Sequence, residues 1–184
     1  MPSAPAHQDG SSVRRRRAIC PGTYDPATLG HLDVIARSAE VFDEVIVGVV
    51  GNPRHKDPLF TAAERVAFLQ QSLADIPNVE VRTFHTLVVE FARECGAGVL
   101  VKGLRAISDF EWEFQMSHLN AGLAPEIETL YMMSSPRYSF VSSSGVREIA
   151  AHGGDVSAYV PPQVATALTG RVASHASPHE EGNG

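Results

Sequence analysis

The stretch Ala18-Ile19-Cys20-Pro21-Gly22-Thr23-Tyr24-Asp25-Pro26-Ala27-Thr28-Leu29-Gly30-His31 decides the reading of this chain. Residues 18–21 form a short apolar run, a first strand that Pro21-Gly22 ends. From Leu32 onward the apolar residues Leu32, Ile35, Ala36, Ala39 and Phe42 fall at helical spacing. The loop between this strand and helix is chemically dense. Gly22 predicts a close backbone approach to a ligand, and Thr23 offers a hydroxyl. Gly30-His31 sets an imidazole at a helix N-terminus, where free N–H groups and the helix dipole favour anions. Taken alone, Gly-His at a helix start reads better as a structural cap; combined with Pro-Gly-Thr and Asp-Pro it is much more specific. The loop has neither the glycine–lysine pattern of a P-loop nor the Gly-x-Gly-x-x-Gly of dinucleotide sites.

Outward from this stretch, strand-like runs alternate with helical patterns. Residues 44–50 (EVIVGVV) are almost continuously apolar, as in a strand covered on both faces. Thr61-Ala62-Ala63-Glu64 is a capping box, opening a helix with Val66, Leu69, Gln70 and Leu73 on one face. Residues 79–84 alternate as a strand, and residues 88–95 read as a helix stopped by Gly96. A buried strand at 99–101 precedes an amphipathic helix at 109–121, where Phe110, Phe114, Met116 and Leu119 are spaced for burial. A last strand at 129–133 leads to helices at 146–151 and beyond Pro161. Such alternation predicts an α/β fold, a parallel sheet with helices on both faces. Ligands on such sheets bind beyond the carboxyl ends of the strands, at loops that follow them.

Three further loops qualify. Residues 52–58 carry Lys56, a point charge suited to phosphate or a solvated loop lysine. Lys102-Gly103-Leu104-Arg105 places two cations around a glycine at a strand end, a phosphate clamp. Of Glu111 and Glu113 behind it, either one faces the site or both are exposed helix residues; spacing favours exposure for Glu111. Residues 136–147 place three serines at a helix start, more donors than a cap needs.

Composition bounds the rest. With 184 residues, the chain suits one domain, expected over residues 17–172 between disordered tails at 1–16 and 173–184. Residues 14–17, four arginines, read as a solvated tail before the first strand. Two cysteines, Cys20 and Cys95, are too few for a disulfide scaffold and read as buried small residues. A formal charge of −6 speaks against a nucleic-acid partner. The chain lacks a signal-peptide pattern and a long apolar run, so no membrane partner and a cytoplasmic location are expected.

The motifs together carry a resemblance. Residues 21–26 with Thr28-Leu29-Gly30-His31 look like the T/HxGH signature of nucleotidyltransferases. Lys102-Gly103-Leu104-Arg105, Asp109-Phe110-Glu111 and Tyr138-Ser139-Phe140-Val141-Ser142-Ser143-Ser144 narrow it to the bacterial phosphopantetheine adenylyltransferase family, over about residues 17–168. The resemblance implies a Rossmann-like nucleotidyltransferase fold with a five-stranded parallel sheet. It implies adenylyl transfer from ATP to 4′-phosphopantetheine, giving dephospho-coenzyme A and pyrophosphate, with Mg2+, a homohexameric assembly and feedback by coenzyme A. Thr23, Tyr24 and His31 would contact ATP phosphates. Gly103, Leu104, Arg105 and Glu113 would line the nucleotide site, and Tyr138, Ser139, Phe140, Val141, Ser142, Ser143 and Ser144 would wrap the adenine and outer phosphates. Thr23, Lys56, Val88 and Lys102 would meet the second substrate, with Leu87 and Asn120 nearby. Two departures stand out: Lys102 occupies a position where many members carry arginine, and the 52–58 loop is one residue longer than in several relatives, leaving its register between His55 and Lys56 open.

The chemistry follows independently of the family. A phosphate nucleophile already carries its charge, so no general base is needed, and catalysis rests on positioning two anions and stabilising the charge between them. His31, Thr23, Lys56 and Arg105 are the expected catalytic set. Magnesium would bridge phosphates with few protein ligands, so no metal residue is nominated. Alternatives are a nicotinamide-nucleotide adenylyltransferase or a cytidylyltransferase on the same fold, or a nonenzymatic nucleotide-binding module.

Overall fold

The computed structural model describes residues 16–53, 57–105 and 107–175, the side chains of 107–109 and 172–175 excepted. Five parallel strands form one sheet: β1 (Arg17–Gly22), β2 (Glu44–Val50), β3 (Val79–Phe84), β4 (Val99–Leu104) and β5 (Glu128–Met133). Their spatial order is β3-β2-β1-β4-β5. Helices α1 (Leu29–Val41), α2 (Ala62–Ser72), α3 (Val88–Glu94), α4 (Ile107–Leu123), α5 (Ser143–Ala151) and α6 (Pro162–His175) complete the described chain.

Strand alternation sorts the core onto the two faces. Cys20, Val45, Val47 and Val101 pack with Val34 and Ile35 of α1 and Leu69 of α2. Ile19, Ile46 and Leu100 point the other way, against Val89, Phe91 and Ala92 of α3. A third cluster joins Phe60 to α5 and α6 through Val146, Ala150, Val164 and Leu168. Chain order reverses between β1 and β4, and the crevice beyond their carboxyl ends is where such sheets take ligands.

Several local expectations hold. Thr61 and Glu64 form the reciprocal capping box at α2, and Gly96 sits at φ 63° just past α3, a conformation few other residues adopt without strain. Both cysteines are buried and free, and burial pushes the Cys20 thiol up to about 11. Other expectations need correction. Gln70 is exposed, and Arg65 takes the buried place on that helix. Arg17 is no tail residue: it opens β1, pairs with Glu44 at 2.5 Å and donates to the Cys95 carbonyl. On α4, Phe110, Phe114 and Leu119 are exposed rather than buried, beside Trp112 at 65% exposure. Periodicity marks an apolar helix face, but the sheet covers only part of this one. The remaining residues of the expected tails, 1–15 and 176–184, lie outside the described residues, and α6 runs to His175, past the expected domain end.

Candidate active site

The crevice is a cleft of about 280 Å³ walled by the β1–α1 loop, the end of β4 and the start of α5. The β1–α1 loop is anchored from below. Arg65, wholly buried, spreads its guanidinium over carbonyls of three segments: Thr23 at 2.6 Å, Val50 at 2.9 Å, Gly51 at 3.2 Å and Phe60 at 3.1 Å. Four charge-assisted bonds satisfy acceptors that would otherwise stand unpaired where the loops converge. Asp25, also buried, accepts from the Leu59 and Phe60 amides at 2.8 and 2.9 Å and from Arg147 at 2.8 Å. Tyr24 donates its hydroxyl to the Cys20 carbonyl at 2.8 Å. A Cβ at Gly22 would lie 2.9 Å from the Tyr24 ring, so Gly22 is needed for this packing, and it also lines the cleft.

Helix α1 then starts on a capping box of unusual composition. Thr28 is the N-cap and its Oγ1 accepts the His31 amide at 3.3 Å. The reciprocal bond, made by glutamate or glutamine in the common form, is made here by imidazole: the Thr28 amide donates to His31 Nδ1 at 3.0 Å. An Nδ1 that accepts carries the lone pair, so the neutral ring holds its proton on Nε2. Burial, aided by the nearby Arg105 charge, lowers the His31 pKa to about 4. His31 therefore lines the cleft as a neutral donor throughout the physiological range. The cap reading of the Gly-His pair holds: the ring closes the capping box with Nδ1 and lines the cleft.

The opposite wall is more open. Lys102 lines the cleft and pairs with Glu113 at 3.1 Å, both half-buried. Arg105 donates to the Val141 carbonyl at 3.0 Å. At α5, Ser142 is the N-cap, its hydroxyl accepting the Gly145 amide at 3.0 Å, and Ser143 donates to the Pro26 carbonyl at 2.8 Å. One serine hydroxyl thus caps the helix and another ties it to the β1–α1 loop, and all three serines border the cleft.

Of the residues singled out in the sequence, Thr23, Tyr24, His31, Lys102, Gly103, Arg105, Val141, Ser142, Ser143 and Ser144 line the cleft. Tyr24 does so with its hydroxyl already committed, so its main chain is what it offers a ligand. Glu113 joins through Lys102. Leu104, Tyr138, Ser139, Phe140, Leu87, Val88 and Asn120 are outside the lining; Leu104 and Asn120 are buried, whereas Leu87 and Phe140 are exposed. Lys56 lies outside the described residues. Arg65 was not among the residues the sequence picked out for the site, nor was the pairing of Arg147 with Asp25. The one signal for Arg65 was its place on the buried face of a helix that a glutamine was expected to share.

Among the described lining residues, Lys102, Arg105 and Arg147 are set against one carboxylate, Asp25, already satisfied. A small polyanion is the ligand such a cleft suits, and on this sheet that chemistry places the chain among the nucleotidyltransferases. The cytidylyltransferase-like family profile matches residues 19–149. The phosphopantetheine adenylyltransferase of Herpetosiphon aurantiacus is 51% identical over 158 residues, 86% of this chain and 95% of that relative. The chain belongs to the phosphopantetheine adenylyltransferase family. Two solved structures share the fold at 19% identity. One, from Vibrio parahaemolyticus and described as a candidate nicotinate-nucleotide adenylyltransferase, has a TM-score of 0.66 over 86% of this chain and 95% of its own. The other is a lipopolysaccharide core biosynthesis protein of Thermoplasma volcanium, with a TM-score of 0.50 over 66% and 98%.

Proposed function

We propose that this chain transfers the adenylyl group of ATP to 4′-phosphopantetheine, releasing dephospho-coenzyme A and pyrophosphate. The observation that carries this reading is His31, a neutral Nε2–H donor fixed by its own helix cap inside a cation-lined cleft. The family relationship, spanning 95% of the relative's length, favours this acceptor over a nicotinamide nucleotide or CTP chemistry. It also favours an enzyme over a passive binding module.

An oxygen of the acceptor phosphate attacks the α-phosphorus of ATP. The bond from that phosphorus to the bridging oxygen of the β-phosphate breaks, and pyrophosphate leaves opposite the nucleophile. No proton has to move before attack. His31 Nε2–H donates to an α-phosphate oxygen as charge builds there, and Thr23 orients the attacking phosphate. Lys102, with Lys56, offsets the repulsion on the attacking side. Arg105 and the serine-opened helix hold the leaving side. Gly103, Leu104 and Glu113 border the nucleoside, with Tyr138, Ser139, Phe140 and Val141 around the adenine, while Leu87, Val88 and Asn120 meet the pantetheine arm.

Magnesium comes to this site with ATP. Asp25, the lining carboxylate, is taken up by two amides and Arg147, and the described residues hold no cluster of three metal-ligating side chains. An ion brought with ATP would be held by the phosphates and would neutralise charge on them, with few protein ligands. The assembly proposed is a homohexamer, and the exposed apolar face of α4, with Leu130 and Met133 on the neighbouring edge strand β5, offers a surface for contacts between copies. Coenzyme A, which contains the dephospho product, is the expected feedback ligand. No described helix is long and apolar enough to cross a membrane, which fits a cytoplasmic enzyme.

Pyrophosphate release tests the reading. It should require ATP with 4′-phosphopantetheine; release from ATP only when nicotinamide mononucleotide is the acceptor, or release only with CTP in place of ATP, would overturn it.

A further inference from the structure

Helix α1, which His31 caps, carries a further row of contacts. Gly30, Asp33 and Arg37 fall at i, i+3 and i+7, on one face of the helix. All three meet the end of β5 or the segment that follows it. Arg37 donates to the Met133 carbonyl at 2.7 Å. Asp33 accepts the Ser135 hydroxyl on Oδ1 at 2.7 Å and the Ser135 amide on Oδ2 at 3.3 Å, where Arg37 also donates at 3.3 Å. A Cβ at Gly30 would lie 3.3 Å from Tyr138 Cβ, so the 3-10 turn Pro136–Tyr138 rests directly on the first turn of the helix. The Asp33 side chain is 17% exposed. Burial works to raise its pKa, but the Ser135 bonds and Arg37 outweigh it and hold the carboxyl below its usual value, an acceptor at neutral pH.

Asp33 does not itself line the cleft, whereas Gly30, His31 and Val34 of the same helix do, as does Ser134. Its carboxylate joins the helix that carries His31 to the start of the segment that ends at the serines. The far end of that segment is held by other groups: Ser143 donates to the Pro26 carbonyl, and Arg105 to the Val141 carbonyl. The two ends are thus fixed separately, and Asp33 belongs to the end away from the serines.

We propose that Asp33 is a positioning residue for the nucleoside: through Ser135 it sets segment 134–140 against α1, so that the base is held in register with His31. This rests on the adenylyl-transfer reading, which puts Tyr138, Ser139 and Phe140 around the adenine and the outer phosphates at the serines. The tie acts on the base end alone, so its loss should separate affinity for the nucleoside from affinity for phosphates.

Calorimetric titration of the wild-type chain, Asp33→Ala, Asp33→Asn and Ser135→Ala with ATP and with inorganic tripolyphosphate tests this. Asp33→Ala should raise the Kd for ATP about tenfold, the usual scale for losing hydrogen bonds to a charged group, and leave that for tripolyphosphate within about twofold. Asp33→Asn, which keeps one acceptor, and Ser135→Ala, which keeps the amide bond, should show the same split at smaller size. Because the two residues act through one contact, the double variant Asp33→Ala/Ser135→Ala should lose no more than Asp33→Ala alone. In turnover, the KM for ATP should rise while that for 4′-phosphopantetheine stays unchanged. Equal losses for ATP and tripolyphosphate, a lower Tm with ATP affinity unchanged, or losses that add in the double variant would make Asp33 a structural prop of the loop and overturn the proposal. Should Asp33→Ala fail to fold, Ser135→Ala decides, since it leaves α1 intact: wild-type affinity for ATP overturns the proposal, and a loss confined to ATP sustains it. A wild-type chain that binds ATP yet does not adenylylate 4′-phosphopantetheine would sink the function reading alone, and the contrast between ATP and tripolyphosphate would still decide on Asp33.

Discussion

The β1–α1 loop and the β4–α4 loop face each other across the cleft, and they are built in opposite ways. In the first, Tyr24, Asp25 and Thr28 are each at most 6% exposed, and a buried arginine and a buried carboxylate bind main chain from several segments. In the second, Lys102 is set by a half-exposed glutamate of α4, a helix whose large apolar residues face outward. Donors on the first wall are preorganised by the chain's own core. The second wall leans on a helix whose large apolar residues the other described residues leave exposed. Groups that must meet the reacting phosphorus within a few tenths of an ångström belong on the first wall.

Breaking that rigid wall at its tip should have the largest effect. Replacing His31 by alanine is expected to lower kcat about 10²–10³-fold, the usual loss for one transition-state donor; steady-state assays check it, and near-normal turnover would remove His31 from the chemistry. Loosening the same wall from below, Arg65→Met leaves four carbonyls in need of donors and should cost about 3 kcal/mol of stability by urea unfolding. Acid tests the wall in a different way. His31 has a folded pKa of about 4 against 6.5 unfolded, so the unfolded chain binds its proton first. Its neutral form contributes stability in full above pH 6.5, and this is lost as pH falls toward 4, up to about 3 kcal/mol. Imidazole ¹⁵N shifts should show Nε2 protonated and Nδ1 bare at neutral pH, with no titration near 6.5.

The open wall should respond less. Lys102→Met breaks a half-exposed pair with Glu113, so stability should fall by less than about 1 kcal/mol, while the KM for the phosphate acceptor rises. A melt as damaged as that of Arg65→Met would erase the contrast between the walls. The smallest effect on folding belongs to Trp112→Ser on α4, expected within about 0.5 kcal/mol for the isolated chain. The same change should weaken self-association, read by sedimentation velocity; an unchanged assembly would place the interface elsewhere.

What the sequence made legible follows the range of the interaction concerned. The Thr61 capping box, the Gly96 stop and the strand–helix alternation depend on neighbours within a few residues, and all were readable. The cleft loops were readable because parallel sheets put ligands at strand ends. Arg65 was not, because its partner at Thr23 is 42 positions away and a charged residue beside an apolar helix face reads as solvated. The packing role of Gly22 was not readable either, because the ring that fills its space is two residues on and only the turn's geometry brings it there. The apolar stripe of α4 was found correctly, but a stripe does not state what covers it, and exposure of Phe110 and Phe114 shows that its own sheet does not.

The cap that opens α1 has one more consequence, for how such a chain can change over time. His31 holds the first turn of the helix with Nδ1 and presents Nε2 to the cleft. A lineage that no longer needed the reaction could not simply discard the imidazole, because the helix start would fray with it. The substitution best able to spare the fold is glutamine, which can accept the Thr28 amide in the ordinary capping-box manner. Retired relatives of this enzyme should therefore be recognisable by Thr-x-Gly-Gln at the start of their first helix.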